Sequence, residues 1–327
     1  MKSTLNGRRT LLLVLCVAAL ALAGCRKEGG AGSGKEGKLR VGFSQMESNG
    51  PWRIAETRSI RDEAAKRAAR FELVVTDARG DLAVQVANVE DLIAQRVDAI
   101  FLAPQQEKGF EGALQAAKDA GIPVILLDRE VQGTAGQDFV TFIGSNFVEE
   151  GKRAGEWLAR QTGGKAGIIE LLGTAGSSVA RDRHDGFAAA IKASPDMKIL
   201  ASQNGNFTRA EGQKVMENLI QAHGREITAV YAHNDEMALG AVQALKAAGF
   251  QPGKEVLVVS VDGQRSALEA VMRGELNVTV ECNPRFGPVA FDTLEKYLKG
   301  EKLPPKIIVP DRFFDSSNAA QYVNEAY

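Results

Sequence analysis

Cysteine and histidine are scarce in this chain, and their scarcity limits its chemistry. Of three cysteines among 327 residues, Cys16 lies in an apolar N-terminal run and Cys25 directly follows that run, which leaves Cys282 alone in the rest of the chain. No disulfide can therefore form within the body of the protein, and its stability must come from packing. The three histidines have no metal-binding spacing, and no Ser, Cys or Lys occupies a recognised nucleophile motif. We therefore expect no metal, no cofactor and no enzymatic activity.

The chain also has almost no net charge and few aromatic residues. The chain has 40 basic and 41 acidic residues, a formal net charge of −1, so it has no basic field that would attract nucleic acid. Aromatic residues make up only 6% of the sequence, and the abundance of Ala, Gly, Val and Leu is more typical of a layered α/β protein than of an all-β one. The length suits about two domains of roughly 150 residues each.

A membrane-spanning run is also missing. The apolar stretch at 11–24 follows three basic residues and is too short for a comfortable span, but it matches a secretory leader. It ends in a Leu-Ala-Gly-Cys segment at 22–25 that resembles the lipobox of bacterial lipoproteins. We expect residues 1–24 to be removed and Cys25 to carry a lipid that anchors the protein to a membrane; an ordinary signal peptide or a lone transmembrane anchor are the alternatives. Residues 25–37 are Gly-rich and charged, as in a flexible tether.

From residue 38 onward, strand and helix signals alternate in two series. The first series predicts strands at 38–44, 71–77, 98–103, 123–128 and 139–144, with helices at 52–69, 82–95 and 110–120. The second predicts helices at 147–161, 180–193, 208–222 and 235–248, with strands at 166–173, 197–205, 228–232 and 255–262. A strand at 276–282, a helix near 284–299 and an extended segment at 306–314 complete the chain. Such alternation predicts parallel sheets with right-handed crossovers and helices on both faces.

The two series predict an α/β fold of two doubly wound lobes. If the last strands pair with the sheets already built, the chain crosses between lobes near residues 145, 282 and 310, and several crossings make a hinge. The predicted N-terminal lobe is 38–145 plus about 283–309. The predicted C-terminal lobe, with the hinge, is 146–282 plus about 310–327.

Polar residues end three of the apolar strands. Asp128 and Arg129 end the first of these, Asn234 follows the second, and Asp262 ends the third. Ligands of open α/β sheets lie beyond the carboxyl ends of such strands, which makes these residues candidates for a binding site. The alternative is that each one only caps a helix or turns the chain.

Other polar residues occupy similar positions with weaker support. Ser44, Gln45 and Asp77 also end strands on the predicted cleft side, and a structural role is equally open for each. Asp235 and Glu236 are expected to serve the first turn of their helix, where acids favour the positive end of the dipole.

Six segments in this order resemble the ribose- and galactose-type periplasmic sugar-binding proteins of ABC transporters: SQMESNGPWR, LLDR, ELLGTAGSSVARDRHDGF, SQNGNFTR, AHNDEMALGA and SVDG. The similarity runs from about residue 38 to the C-terminus, and the SQ, GxW-R-x-A-E and FTR segments are most similar to the galactofuranose-binding branch. The resemblance implies two lobes joined by three hinge strands that close on a sugar in the cleft. It implies a periplasmic or extracytoplasmic, monomeric lipoprotein that captures a monosaccharide, galactofuranose-like or another pentose or hexose, and delivers it to ABC permease subunits.

The resemblance also implies a set of ligand-binding residues. Trp52 stands where the family has an aromatic that stacks on the sugar ring, and Asp128 with Arg129 matches the family's D-R pair. Arg183 matches the second Arg of the R-x-R segment, and Phe207 matches the aromatic of F-x-R. Asn234 matches the Asn of N-D-E-M, and Asp262 matches the acid of the D-G turn. Three of these residues have structural alternatives, namely core packing for Trp52 and Phe207 and pairing with Asp182 or Asp185 for Arg183.

Two residues depart from the ribose branch. Arg53 follows Trp52 where that branch has a second aromatic, and Glu56 lies one helical turn on, placed to hold it. We expect Arg53 to contact a sugar hydroxyl and include Glu56 among the candidate site residues. Cys282 stands near a hinge position where the ribose branch has Gln, which puts ribose itself in doubt, and we expect it to be a small buried apolar residue.

Three other functions remain as alternatives. A sugar sensor that docks a chemoreceptor or histidine kinase would use the same closed form. A glycoside-processing enzyme could use Asp128 and Asp262 as its carboxylate pair. A transcription regulator would need a helix-turn-helix before the first strand, where this chain has a secretory leader.

Overall fold

The computed structural model describes residues 37–327. The predicted leader, the predicted lipid site at Cys25 and all but the last residue of the predicted tether lie outside the described residues. Within residues 37–327, no helix combines the length and the apolar character needed to cross a bilayer.

Two series of strands run through the described residues. The first is β1 (Leu39–Gln45), β2 (Phe71–Asp77), β3 (Ala99–Ala103), β4 (Val124–Leu127) and β5 (Thr141–Gly144). The second is β6 (Lys165–Leu172), β7 (Asp196–Asn204), β8 (Ala229–Ala232), β9 (Leu257–Asp262) and β10 (Val278–Glu281), followed by two short strands, β11 (Lys306–Ile308) and β12 (Phe313–Asp315).

Helices alternate with these strands. Those of the first half are α1 (Pro51–Lys66), α2 (Leu82–Ala94) and α3 (Glu111–Asp119). The second half contains α4 (Phe147–Thr162), α5 (Ser178–Ile191), α6 (Arg209–His223), α7 (Asp235–Ala247) and α8 (Arg265–Met272), and the chain ends with α9 (Gly287–Leu298) and α10 (Ala319–Tyr322).

The strands form two six-stranded sheets, and this confirms the predicted two-lobed fold class. The orders are β11-β5-β4-β3-β1-β2 and β12-β10-β9-β8-β6-β7. All neighbours are parallel except β10 and β12, which are antiparallel. In each sheet the order reverses once, between β1 and β3 and between β6 and β8. Ligands of doubly wound sheets bind beyond the carboxyl ends of strands at such switch points.

The C-terminal segment returns to both sheets. Helix α9 packs on the first sheet, where the ring of Phe291 lies 5.1 Å from that of Phe71 and 5.2 Å from that of Phe101. The extended segment predicted at 306–314 is two strands in two different sheets, with Pro310 in the link between them. Proline has no N–H for a strand ladder, which favours a break at this point.

Three connections join the sheets, at 145–146, 282–286 and 309–312, and all three leave from the β5–β11 edge or the β10–β12 edge. One carboxylate links them. The Oδ1 atom of Asp311 accepts hydrogen bonds from the Ser145 hydroxyl at 3.1 Å and from the Asn283 amide at 3.2 Å. These connections form the hinge.

Candidate functional site

A cavity of about 320 Å³ lies between the two lobes at the carboxyl ends of their strands. Eight of the predicted ligand-binding residues line it, and both lobes contribute. They are Trp52, Arg53, Asp128, Arg129, Arg183, Phe207, Asn234 and Asp262.

Arg53 is held between two buried carboxylates on the first-lobe side. Its Nη1 donates to Glu56 Oε2 at 2.9 Å and its Nη2 to Asp128 Oδ2 at 2.5 Å. Glu56 is itself fully buried and also accepts from Gln45 Nε2 at 2.9 Å. This bracing fixes the plane of the guanidinium while Arg53 remains part of the cavity wall.

Trp52 provides a fixed aromatic surface beside Arg53. Pro51 starts helix α1, so Trp52 lies in its first turn, a position for which proline is suited. Its indole Nε1 donates to the Cys282 carbonyl at 2.8 Å, and its ring meets Phe286 edge-on at 5.8 Å. Trp52 therefore contacts the hinge and lines the cavity at the same time.

Asp128 and Arg129 leave β4 in an unusual backbone conformation. Asp128 has φ of 63°, in the left-handed region that few non-glycine residues adopt. Arg129 donates from Nη1 to the Gln105 carbonyl at 2.7 Å, but its buried Nε has no hydrogen-bond partner. Burial and the nearby Arg53 cation lower the pKa of Arg129. That Nε lies 3.6 Å from Asp128 Oδ2, and both residues are part of the cavity wall.

Arg183 occupies the corresponding position on the second-lobe side. Its Nε donates to Glu150 Oε2 at 2.7 Å and its Nη1 to the His233 carbonyl at 2.5 Å. Its Nη2 lies 3.6 Å from Asp262 Oδ1. The alternative pairing with Asp182 is not found, because Asp182 pairs with Arg181.

Close approach of two helices makes this arrangement possible. A Cβ on Gly186 would lie 1.9 Å from the Val148 carbonyl oxygen, so glycine is required where α5 meets α4. The contact brings Glu150 of α4 next to Arg183 of α5.

Phe207 lies between two guanidinium groups. Its ring centroid is 5.4 Å from Arg129 Cζ and 6.0 Å from Arg183 Cζ, within range of cation–π attraction. Its backbone φ is 60°, and a Cβ on Gly173 would lie 1.9 Å from Phe207 Cζ. The loop after β6 therefore leaves room for this ring by having glycine at 173.

Asn234 and Asp262 complete the second-lobe wall. Asn234 caps α7, since its Oδ1 accepts from the Met237 amide at 3.0 Å, and its Nδ2 donates to the Phe207 carbonyl at 3.1 Å. It retains a second N–H and a second lone pair. Asp262 has φ of 127°. Burial raises its pKa well above the usual range, and the negative charges of Asp235 and Glu150 act in the same direction.

Four other predicted site residues do not line the cavity. Glu56 lies behind Arg53, and Gln45 lies behind Glu56, where it also donates to Thr57 Oγ1 at 3.0 Å. Ser44 is buried within the sheet. Asp77 is exposed, and its carboxylate accepts from the Arg79 amide at 2.8 Å in a local turn. For Asp77 the reason is the place of its strand, because β2 lies at the outer edge of the sheet, away from the switch point.

The structure adds lining residues that the sequence did not predict for the cavity, among them Glu236, which was expected only to serve the first turn of its helix. Glu47 and Asn49 follow β1 on the first-lobe side. On the other side Arg209 Nη2 pairs with Glu236 Oε1 at 2.6 Å, and the same oxygen accepts from Gln264 Nε2 at 2.8 Å. All of them are within a few residues of predicted strand tips or of Phe207, and that proximity was the available signal.

Glu170 forms a separate polar cluster beneath the second-lobe wall. It accepts hydrogen bonds from His184 Nδ1 at 2.9 Å, His233 Nε2 at 3.1 Å and Ser202 Oγ at 2.5 Å. Burial is outweighed by His233 and by the hydrogen bonds from Ser202 and His184, which lower the pKa of Glu170 to about 2. The cluster supports the His233 carbonyl, to which Arg183 donates.

The charges of the site largely neutralise each other. Arg53 pairs with Asp128 and Glu56, and Arg183 pairs with Glu150 and lies near Asp262. Such a site offers many fixed donors and acceptors without a large net field, which suits an uncharged polyhydroxylated ligand better than an ion. Among the described residues, no group of three or more His, Cys, Asp or Glu side chains could hold a metal ion.

Comparisons with known proteins place the chain in a family and match its fold. A family model described as a periplasmic binding protein domain matches residues 41–302. Galactofuranose-binding protein YtfQ of Escherichia coli (strain K12) is 46% identical over 272 residues, which cover 82% of this chain and 85% of that protein.

Two solved structures are similar to the chain in both fold and sequence. The periplasmic binding component of the arabinose ABC transporter from Shewanella sp. ANA-3, bound to α- and β-L-arabinofuranose, has a TM-score of 0.84 and 42% identity, covering 88% of this chain and 95% of that one. A protein from Mycobacterium smegmatis in complex with β-D-fucofuranose has a TM-score of 0.83 and 40% identity, covering 88% of this chain and 94% of that one.

Proposed function

The chain belongs to the periplasmic binding protein family, as its motifs predicted, and on that premise we propose that it binds a monosaccharide in the furanose form and delivers it to an ABC importer. The observation that carries the proposal is the cavity between the lobes, in which paired carboxylates and guanidiniums from both sides surround an aromatic surface. The proposed ligand is galactofuranose or a similar pentose or hexose furanose.

The wall residues suit the two kinds of surface that a sugar presents. The apolar C–H face of the ring packs against Trp52, and its hydroxyls meet groups that can donate or accept. Arg129 donates, Asp128 and Asp262 accept, and Asn234 does both. Each charge-assisted hydrogen bond contributes roughly 1.5–3 kcal/mol before ordering and desolvation are subtracted. Micromolar or tighter affinity is therefore the expectation.

Arg53 and the relatives support a furanose. A second stacking aromatic, as in the ribose branch, would enclose a ring on both faces, whereas Arg53 offers a braced donor fork. A furanose carries its remaining carbons as an exocyclic arm with further hydroxyls, and such an arm can accept from this fork. Galactofuranose, arabinofuranose and fucofuranose appear in the names of the relatives described above.

The hinge gives the binding step its mechanism. Sugar bridges wall residues of both lobes, so closure is favoured by contacts that exist only in the closed form. Direct contacts between the lobes also stabilise the closed form. The Glu130 amide of the first lobe donates to Ser178 Oγ of the second at 3.0 Å, and Glu107 of the first lobe forms an ion pair with Arg181 of the second. The closed form then presents both lobes to the permease.

The proposed location is extracytoplasmic, with a lipid on Cys25 as the membrane anchor. Support comes from the leader and the Leu-Ala-Gly-Cys segment of the sequence. Cys25→Ala should release the protein from the membrane fraction, and retention of the variant there would contradict the anchor. Loss of uptake of a radiolabelled sugar on deletion of the gene supports delivery to an importer, whereas loss of chemotaxis or of sugar-induced transcription with normal uptake supports a sensor.

Calorimetric titration with L-arabinose, D-galactose, D-fucose and D-ribose tests the ligand class. Free aldoses interconvert between ring forms, so the bound form is identified with sugars labelled with ¹³C at the anomeric carbon, whose NMR signal differs between furanose and pyranose. We expect a bound furanose signal that disappears in Asn234→Ala. Asp77→Asn is the matched control, because Asp77 is exposed and outside the cavity. A bound pyranose signal would contradict the furanose, and no binding of any of these sugars would contradict the ligand class.

A further inference from the structure

Asp235 is fully buried behind the cavity wall. It lies in the first turn of α7, where an acid was expected to serve the helix end, but its carboxylate is bonded to the neighbouring strands instead. Its Oδ1 accepts from Ser260 Oγ of β9 at 2.5 Å and from Thr279 Oγ1 of β10 at 2.7 Å. Its Oδ2 accepts from the Gln264 amide at 2.8 Å.

These bonds fix the turn that follows β9. Asp262, the first residue of the turn, has φ of 127°, which L side chains rarely adopt, and Gly263 has φ of 75°. Such a conformation persists only where the surroundings over-determine it. The Gly263 amide donates to Thr279 Oγ1 at 3.0 Å, and that hydroxyl donates to Asp235. The two amides after Asp262 thus connect to Asp235, one directly and one through Thr279.

We propose that Asp235 is a positioning residue for sugar binding, which acts by holding the Asp262 turn so that the Asp262 carboxylate faces the cavity. The adjacent residues Asn234 and Asp235 then divide two tasks. Asn234 lines the cavity, and Asp235 orients a second wall residue from behind. The proposal rests on the proposed function, since Asp262 must contact the sugar.

A double-mutant cycle separates positioning from general stability. Asp235→Asn keeps one oxygen acceptor and replaces the other with an N–H₂ group, so in either orientation the side chain can no longer accept both from the two hydroxyls and from the Gln264 amide. The probe is the sugar of the panel L-arabinose, D-galactose, D-fucose and D-ribose that binds the wild type most tightly. We expect the substitution to weaken affinity for that sugar by about tenfold, the effect of one lost hydrogen bond to a charged group. In an Asp262→Asn background the same change should have an effect of less than about twofold, because its target is already altered. Equal losses in both backgrounds, or unchanged affinity, would overturn the proposal.

Amide hydrogen exchange without sugar gives a readout that does not depend on the proposed function. Exchange at Gly263 and Gln264 should accelerate in Asp235→Asn and in the milder variant Thr279→Val, which remains available if the first fails to fold. Unchanged exchange would contradict the positioning role even where sugar binds normally. If exchange is faster but the protein binds no sugar, Asp235 holds the turn as inferred, but the turn does not serve sugar binding and the proposed positioning role is rejected. Glu63→Gln, at a carboxylate held by Arg67 and Lys66 outside the cavity, is the control and should leave both affinity and these amides unchanged.

Discussion

Removal of Arg53 tests the chemistry of the first-lobe wall most directly. In Arg53→Ala the sugar loses a donor, and Asp128 and Glu56 lose the cation between them, which contacts them at 2.5 and 2.9 Å. One charge-assisted hydrogen bond contributes about 1.5–3 kcal/mol, and each factor of ten in affinity corresponds to about 1.4 kcal/mol. Affinity should therefore fall roughly tenfold to 150-fold. Glu56 is buried without another cation, so thermal stability should fall as well.

Calorimetry at pH 7 and thermal unfolding measure the two effects separately. Arg53→Lys keeps the charge but can pair well with only one carboxylate, so it should bind with intermediate affinity. Arg58→Ala is the matched control, since Arg58 lies on the same helix, is 81% exposed and pairs only with Asp62 at 3.7 Å. Wild-type affinity in Arg53→Ala would refute the assigned role, and an equal loss in Arg58→Ala would show that the helix and not the cavity is responsible.

Three further predictions concern the second lobe and its contact with the first. Gly173→Ala should weaken sugar binding by roughly tenfold or more, because its Cβ would occupy space that Phe207 fills and overpacking displaces such a ring. Lowering the pH from about 4.5 to about 2 should reduce the unfolding free energy of the wild type by about 3 kcal/mol through Glu170. The pKa of Glu170 is depressed in the folded state, so the carboxylate becomes protonated and its stabilising charge is lost in that pH window. Glu170→Gln should lack this loss. Arg181→Ala should accelerate sugar dissociation by up to about fivefold, because a partly exposed ion pair with Glu107 across the lobes contributes roughly 0.2–1 kcal/mol.

Each of these predictions has a control in the same chain. Gly112→Ala places a methyl group in open space on α3 and should leave binding unchanged. Denaturant unfolding at pH 4.5 and at pH 2 provides the acid comparison, and an identical pH response of wild type and Glu170→Gln would contradict the second prediction. Arg225→Ala removes an ion pair with Glu255 that lies within one lobe, so its stopped-flow dissociation rate should equal that of the wild type. Equal acceleration in both arginine variants would contradict the third.

Apolar strands that end in polar residues made the fold and much of the cavity predictable. Asp128, Arg129 and Asn234 follow buried strands and Asp262 ends one, and parallel strands place such residues at one edge of a sheet. The lobe assignment of the last strands was harder, because a three-residue strand carries little periodicity. The antiparallel pairing of β12 with β10 had no signal in the sequence.

Apart from Glu56, which the helical spacing places next to Arg53, the partners of the site residues could not be predicted. Arg183 had two acidic neighbours in sequence, yet its partner is Glu150 on another helix. That pairing depends on how closely α4 and α5 approach, which is set by packing and not by local spacing. Asp235 was expected to serve its helix end because the local sequence indicates only that it lies in the first turn of a helix. The sequence does not indicate that two strands bring Ser260 and Thr279 within hydrogen-bond distance of it.

Placement of all three connections at one edge of each sheet has a practical consequence for optical sensing. The lobes can rotate about a single axis near Asp311, so the largest change in distance falls at the opposite edges, formed by β2 and β7. The exposed residues Asp77 and Gln203, at the ends of these strands, are suitable positions for a donor and an acceptor dye. Burial and the Glu150 carboxylate raise the pKa of the Cys282 thiol, so maleimide dyes would react at introduced cysteines and leave the native one unlabelled. Energy transfer between the two dyes would then report sugar concentration without any change to the cavity.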